Sequence, residues 1–121
     1  MPFIATHRHA RISARKVRPL ADLVRGQFAD DALEALKYQP HRGARMLEKV
    51  LRSAVGNAQD PEQNKGVSHK IERLIVVDAR IDGGPMFKRI RPRARGMAFG
   101  ILRRTAHITV VLKSVDEMGL V

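Results

Sequence analysis

Between Asp82 and Gly100 the chain reads Asp-Gly-Gly-Pro-Met-Phe-Lys-Arg-Ile-Arg-Pro-Arg-Ala-Arg-Gly-Met-Ala-Phe-Gly, with arginines at 89, 91, 93 and 95 and Lys88 beside the first of them. In an extended chain alternate side chains share a face. The spacing therefore predicts a row of guanidinium groups opposite Ile90, Pro92, Ala94 and Gly96. Such a row cannot enter a core without partners. A planar guanidinium fork matches pairs of phosphate oxygens, so the expected partner is a row of phosphates. The plainer alternative is a solvated basic loop of no fixed shape. Phe87 and Phe99 flank the row. An exposed ring there can stack on an unpaired base, or pack on the ribbon's own stem. Phe99, read as the residue near the stem, is expected to pack; Phe87, read as further out, is open to either use.

The net charge of +11 is unevenly placed. Residues 1–21 hold Arg8, Arg11, Arg15, Lys16 and Arg18 and no acid, and residues 83–115 hold eight basic residues and no acid. Residues 22–82 carry ten of each sign and cancel. Two acid-free segments around a balanced middle form an electrostatic footprint for a polyanion. Arg makes up 16 of the 23 basic residues, which favours ordered phosphate contacts over loose attraction.

Other chemistries find little support. There is no cysteine, which excludes disulfides and thiolate metal sites and suits a reducing compartment. His7 and His9 could chelate a metal, but they lack further ligands, and structural zinc sites usually need four. No metal or cofactor is expected. His107, in an apolar run, is either half-buried and satisfied by a backbone group or an RNA contact. Gly83-Gly84 is a turn signal rather than a phosphate loop, no Ser sits in a nucleophile motif, and paired-carboxylate catalysis has no candidate. No signal peptide or membrane-length apolar run occurs, so a cytoplasmic chain without membrane contact is expected.

The elements that must position these residues follow from periodicity. Phe3 to Ile12 reads as an edge strand with a basic exposed face. Ser13 is a candidate N-cap for a helix with Val17, Leu20, Ala21 and Val24 inward, ended by Gly26. Pro19 should kink that helix or cost it a hydrogen bond. Asp30 is read as the cap of a short helix through Leu36, stopped by Pro40. A long helix from about His41 to Gln59 buries Ala44, Leu47, Leu51, Ala54 and Ala58, widened by Val50 and Val55. Asp60 to Gly66 reads as an exposed loop. Ile71 to Ile81 alternates, with Ile71, Ile75, Val77, Ala79 and Ile81 on one face, and Thr105 to Lys113 is a second strand. The expected fold is α+β: a three-stranded antiparallel sheet with three helices on one face and a long protruding β-hairpin. It is read as one domain over residues 1–121 with the arm at 82–100, each side of the arm about nine residues and about 30 Å long.

Longer motifs carry a resemblance. His7-Arg8-His9-Ala10-Arg11, Ser13-Ala14-Arg15-Lys16-Val17-Arg18 and Ala21-Asp22-Leu23-Val24-Arg25-Gly26 are joined by Val50-Leu51, Ser53-Ala54 and Asn57-Ala58. Pro92-Arg93-Ala94-Arg95-Gly96 follows, then Ile101, Arg103-Arg104-Thr105 and His107-Ile108-Thr109-Val110-Val111. Over nearly its whole length the chain resembles the bacterial-type large-subunit ribosomal proteins of universal family twenty-two. Pro19, Phe87 and Met97 stand where that family more often has an aliphatic residue, Met and Arg. The resemblance implies a structural, non-catalytic protein that binds large-subunit ribosomal RNA, supports subunit assembly and lines the peptide exit tunnel with its hairpin. It implies RNA contacts at Arg8, His9, Arg11, Ser13, Arg15, Lys16, Arg18, Lys88, Arg89, Arg91, Arg93, Arg95, Arg103, Arg104 and His107. It implies a tunnel-lining tip at Phe87, Lys88, Arg89, Ile90, Arg91 and Pro92. The implied partners are that RNA, neighbouring ribosomal proteins and the nascent polypeptide, with no homo-oligomer. The rival reading is a DNA-bending protein whose β-ribbon arm wedges Pro92 into a minor groove between Arg91 and Arg93.

Overall fold

The computed structural model describes residues 2–61, 66, 68–92, 94–96 and 98–115. Strands β1 (Phe3–Ala10), β2 (Leu74–Gly83) and β5 (Ala106–Ser114) form an antiparallel sheet in the order β1-β5-β2. The central strand β5 is rich in β-branched residues, and its alternate side chains Ile108, Val110 and Leu112 are fully buried. On the edge strand β1, Phe3 and Ala5 point inward, while Ile4, Thr6 and Arg8 are exposed. The register slips between His7 and Ala10, where His9 takes a left-handed backbone with φ 59°.

Three helices cover one face: α1 (Ala14–Val24), α2 (Ala29–Lys37) and α3 (Arg42–Gln59). α3 packs on β1 and β5, and α1 on β2. The buried stripe of α1 is Val17, Leu20, Ala21 and Val24, and that of α3 includes all seven positions read from its spacing. Gly26 follows α1 with φ 86°, a conformation that suits a residue without Cβ. α1 continues through Pro19, which has no N–H to donate to the Arg15 carbonyl. α2 begins two residues earlier than its acids suggest. Phe28 occupies the N-cap, and Asp30 lies in the first turn, where its carboxylate accepts from the Asp31 N–H.

β2 departs from the alternation in the sequence. Ile71–Arg73 is a turn of 3₁₀-helix rather than strand, and a bulge between Val76 and Asp78 shifts the phase. Leu74 and Val76 before the bulge face the same core as Ala79 and Ile81 after it. Ile75 is buried but outside that core cluster, and its backbone bridges to Phe28 in the link between α1 and α2. That link bonds the free edge of β2: the Gly26 N–H donates to Val76 O at 2.8 Å and the Val76 N–H to Gln27 O at 2.9 Å.

The arm is a separate two-stranded sheet of β3 (Phe87–Pro92) and β4 (Ala98–Arg103). Phe87 pairs with Arg103 at its root and Pro92 with Ala98 at its far end. The strands are six residues each, so they extend about 20 Å rather than 30 Å. The tip is the turn containing Ala94–Gly96, not Phe87 to Pro92. Phe87 therefore sits at the root, and Phe99, opposite Arg91, lies toward the tip, the reverse of the order expected.

Candidate nucleic-acid interface

The even spacing of the four arginines does not survive as one row. Arg89 and Arg91 occupy strand positions two apart, whereas Arg95 lies beyond the strand with a left-handed backbone at φ 62°. Arg93 falls outside the described residues. A hairpin reverses the chain here, and a turn residue cannot keep the strand's alternation. Lys88 and Arg89 are exposed on β3, and the Arg89 guanidinium lies 5.8 Å from the centre of the Phe87 ring. Ile90 is 76% exposed opposite Gly100, an apolar side chain held in the open.

The arm's root draws distant segments together. A cleft of about 420 Å³ is lined by Arg11, Arg42, Phe87, Arg89, Arg103, Arg104 and Thr105. A second, of about 340 Å³, includes Ser13, Arg15, Arg18, Gly84, Met86 and Arg104. The two share Arg104 and Thr105 and flank the point where the arm leaves the sheet. On the sheet face away from the helices, Arg8, His9 and His107 gather with Arg80 and Asp82. Lys16 is exposed on α1.

Some of the expected contacts also serve the fold. Arg18 donates from Nε and Nη2 to Ile81 O, both at 3.3 Å, and so braces α1 against β2. His107 is half-buried, and its Nδ1 accepts from the His9 backbone N–H at 3.1 Å. The two imidazoles meet edge to face at 4.9 Å. Ser13 holds the N-cap position of α1 without a side-chain capping bond. By contrast, Arg8, Arg11, Arg15, Lys16, Arg103 and Arg104 make no ion pair among the described residues.

Arg42 and Arg80 were invisible to the charge profile, because both lie in the balanced middle. Helix polarity does mark Arg42. The N-terminus of a helix carries partial positive charge and favours acids. α2 obeys, with Asp30 and Asp31 in its first turn and Lys37 in its last. α1 and α3 open with no acid in the first turn and with Arg15, Lys16 and Arg42 instead. Two helices that forgo a stabilising carboxylate at the same rim leave their positive ends available to an external anion.

Against known proteins, residues 5–113 match the family described as ribosomal protein L22p/L17e. The chain is 67% identical over 116 residues to "Large ribosomal subunit protein uL22" of Rhodopirellula baltica, covering 96% of this chain and 98% of that protein. It is 51% identical over 109 residues to the protein of the same name from Caldicellulosiruptor saccharolyticus, covering 90% and 85%. The arginine-lined arm root and the sheet beneath it are thus those of a member of the ribosomal protein L22p/L17e family.

Proposed function

We propose that the chain binds large-subunit ribosomal RNA through the surface around the arm's root, supports assembly of the subunit, and reaches the polypeptide exit tunnel with its arm. As a family member it is a structural constituent of the large ribosomal subunit of the cytoplasmic ribosome, and not an enzyme. The observation that carries the RNA-binding reading is the convergence of Arg11, Arg42, Arg89, Arg103 and Arg104, drawn from four separated parts of the chain, on one rim. Such a density of guanidinium groups, none of them in an ion pair among the described residues, is built for phosphates. Arg8, His9 and His107 on the open sheet face, and Ser13, Arg15, Lys16 and Arg18 along α1, extend the same surface. Tunnel lining is assigned to the outer part of β3, from Ile90 to Pro92, and to the turn with Arg95; Phe87, Lys88 and Arg89, expected there as well, lie nearer the arm's root. Neighbouring ribosomal proteins and the nascent chain complete the partners, and the chain acts as a single copy. Family membership favours this reading over the DNA-bending one.

Two measurements test it. Tagged chain in a fractionated lysate should sediment with large subunits; sedimentation at the top of the gradient would reject the assignment. A photo-crosslinking residue at Ile90 or Arg95 should capture nascent peptide in translating ribosomes, whereas one at Glu34 on α2 should not. Capture from neither arm position would remove the arm from the tunnel.

A further inference from the structure

We propose that the cleft between the body and the root of the arm is a site for consecutive phosphates of one RNA strand, and that filling it fixes the angle of the arm. This rests on the RNA-binding reading above. The walls of the cleft belong to two parts of the molecule. Arg11 and Arg42 come from the body, at the end of β1 and the start of α3, and Phe87, Arg89 and Arg103 come from the arm. The two parts share no strand ladder: pairing in the body ends at Gly83 with Ala106, and pairing in the arm begins at Phe87 with Arg103. Among the described residues, none from 83 to 104 belongs to the hydrophobic core. Two hydrogen bonds are described across the interruption, from the Gly84 N–H to Thr105 O at 2.9 Å and from Thr105 Oγ1 to Pro85 O at 2.6 Å.

Charge then decides the junction's behaviour. Like charges on facing walls push the arm away from the body, and an anion between them reverses the sign of that interaction. Two of the guanidinium groups are already steered: Arg42 donates to Arg11 O, and Arg89 lies against the Phe87 ring. Five cations exceed the charge of one phosphodiester, so several phosphates in sequence are the matching ligand, which a strand supplies.

The chain has no cysteine, so spin labels can be placed at will. Ser53→Cys on α3 and Ile90→Cys on β3 are both at exposed positions. Their distance distribution, read by pulsed electron paramagnetic resonance, should be broad in the free protein and should narrow when a six-nucleotide oligouridylate saturates it. In the Arg42→Gln/Arg103→Gln protein the narrowing should be lost, the oligonucleotide should bind at least about tenfold more weakly, and the log–log salt slope should fall by about 1.4, at about 0.7 per single-strand contact. The charge-matched control Lys37→Gln/Lys49→Gln should narrow as the parent does. A parent distribution unchanged by saturating oligonucleotide, or narrowing that persists in the Arg42/Arg103 variant, overturns the proposal. Pyrophosphate that narrows the distribution as fully as the oligonucleotide would show a small-anion site and overturn the assignment to a strand. Filter binding of a large-subunit ribosomal RNA transcript separates the two readings: transcript bound with the arm angle unmoved removes the cleft alone, and transcript unbound removes the RNA reading with it.

Discussion

A Cβ built on Gly84 would lie 2.5 Å from Thr105 Oγ1 and 3.3 Å from His107 Cε1 and Nε2. The hydroxyl cannot retreat freely, because it donates to Pro85 O, and the imidazole is held by the His9 N–H. Gly84→Ala should therefore destabilise the protein by about 1–3 kcal/mol, the usual range for overpacking, measured by urea unfolding. An unchanged midpoint would mean that Thr105 gives way without loss. Arg45 does a different job. It donates to Leu36 O, to Lys37 O at 3.1 Å and to Gln39 O at 2.7 Å, so it satisfies the carbonyls that α2 leaves at its end. It also pairs with Glu48, which is buried in α3 and held from the other side by Arg52 at 2.7 Å. Arg45→Ala should cost about 2 kcal/mol through the lost charged hydrogen bonds, whereas Arg8→Ala, exposed and free of ion pairs among the described residues, should leave the melting temperature within error. Equal effects of the two substitutions would contradict this division between arginines that hold the fold and arginines that await a ligand.

At the scale of elements, the body should fold without the arm, since no described residue of the arm belongs to the core. Replacing residues 85–104 by a short turn should leave a body that still melts cooperatively. Leu51→Ala, at a fully buried position of α3, should cost about 2–5 kcal/mol. Loss of folding in the first protein and no effect in the second would reverse the assignment of the core. The helices were legible because a 3.6-residue stripe is a strong, local signal: the four inward residues of α1 and the seven of α3 can be read from spacing alone. The bulge in β2 was not. A period of two carries no mark of where its phase slips, and Ile75, Val77 and Ala79 are apolar on both sides of the slip. The turn of the arm was misplaced for a related reason. Alternating arginines look the same in a strand and in a turn, and the left-handed backbone at Arg95 has no glycine of its own to announce it.

Across the whole molecule, positive charge is sorted rather than spread. Among the described residues, the rim around the arm's root and the open sheet face carry arginines without ion pairs, except that Arg80 lies 3.4 Å from the Asp82 carboxylate, while α2 turns Asp31 and Glu34 to solvent. The part of this surface that was legible is the part made by acid-free stretches of chain. Arg42 and Arg80 were missed because the fold, and not the sequence, carries them to it. Sorting of this kind makes a quantitative demand on binding to the large-subunit RNA. Each phosphate neutralised adds about 0.7–0.9 to the slope of log affinity against log salt. Replacing Arg8, Arg11, Arg15 and Lys16 by Gln should lower that slope by about 3 if each meets one phosphate. Replacing Arg89, Arg91, Arg93 and Arg95 should lower it comparably. Asp31→Asn/Glu34→Gln adds as much positive charge as two of those changes remove, yet it should leave the slope unchanged, because release of counterions requires contact and not net charge alone. The measurement is filter binding of each variant to the RNA transcript across a salt series. A slope that follows net charge in all three variants would mean that the protein is held by its overall field. A slope that falls in the two arginine variants and stays fixed in the third locates the contacts on the rim, the sheet face and the arm.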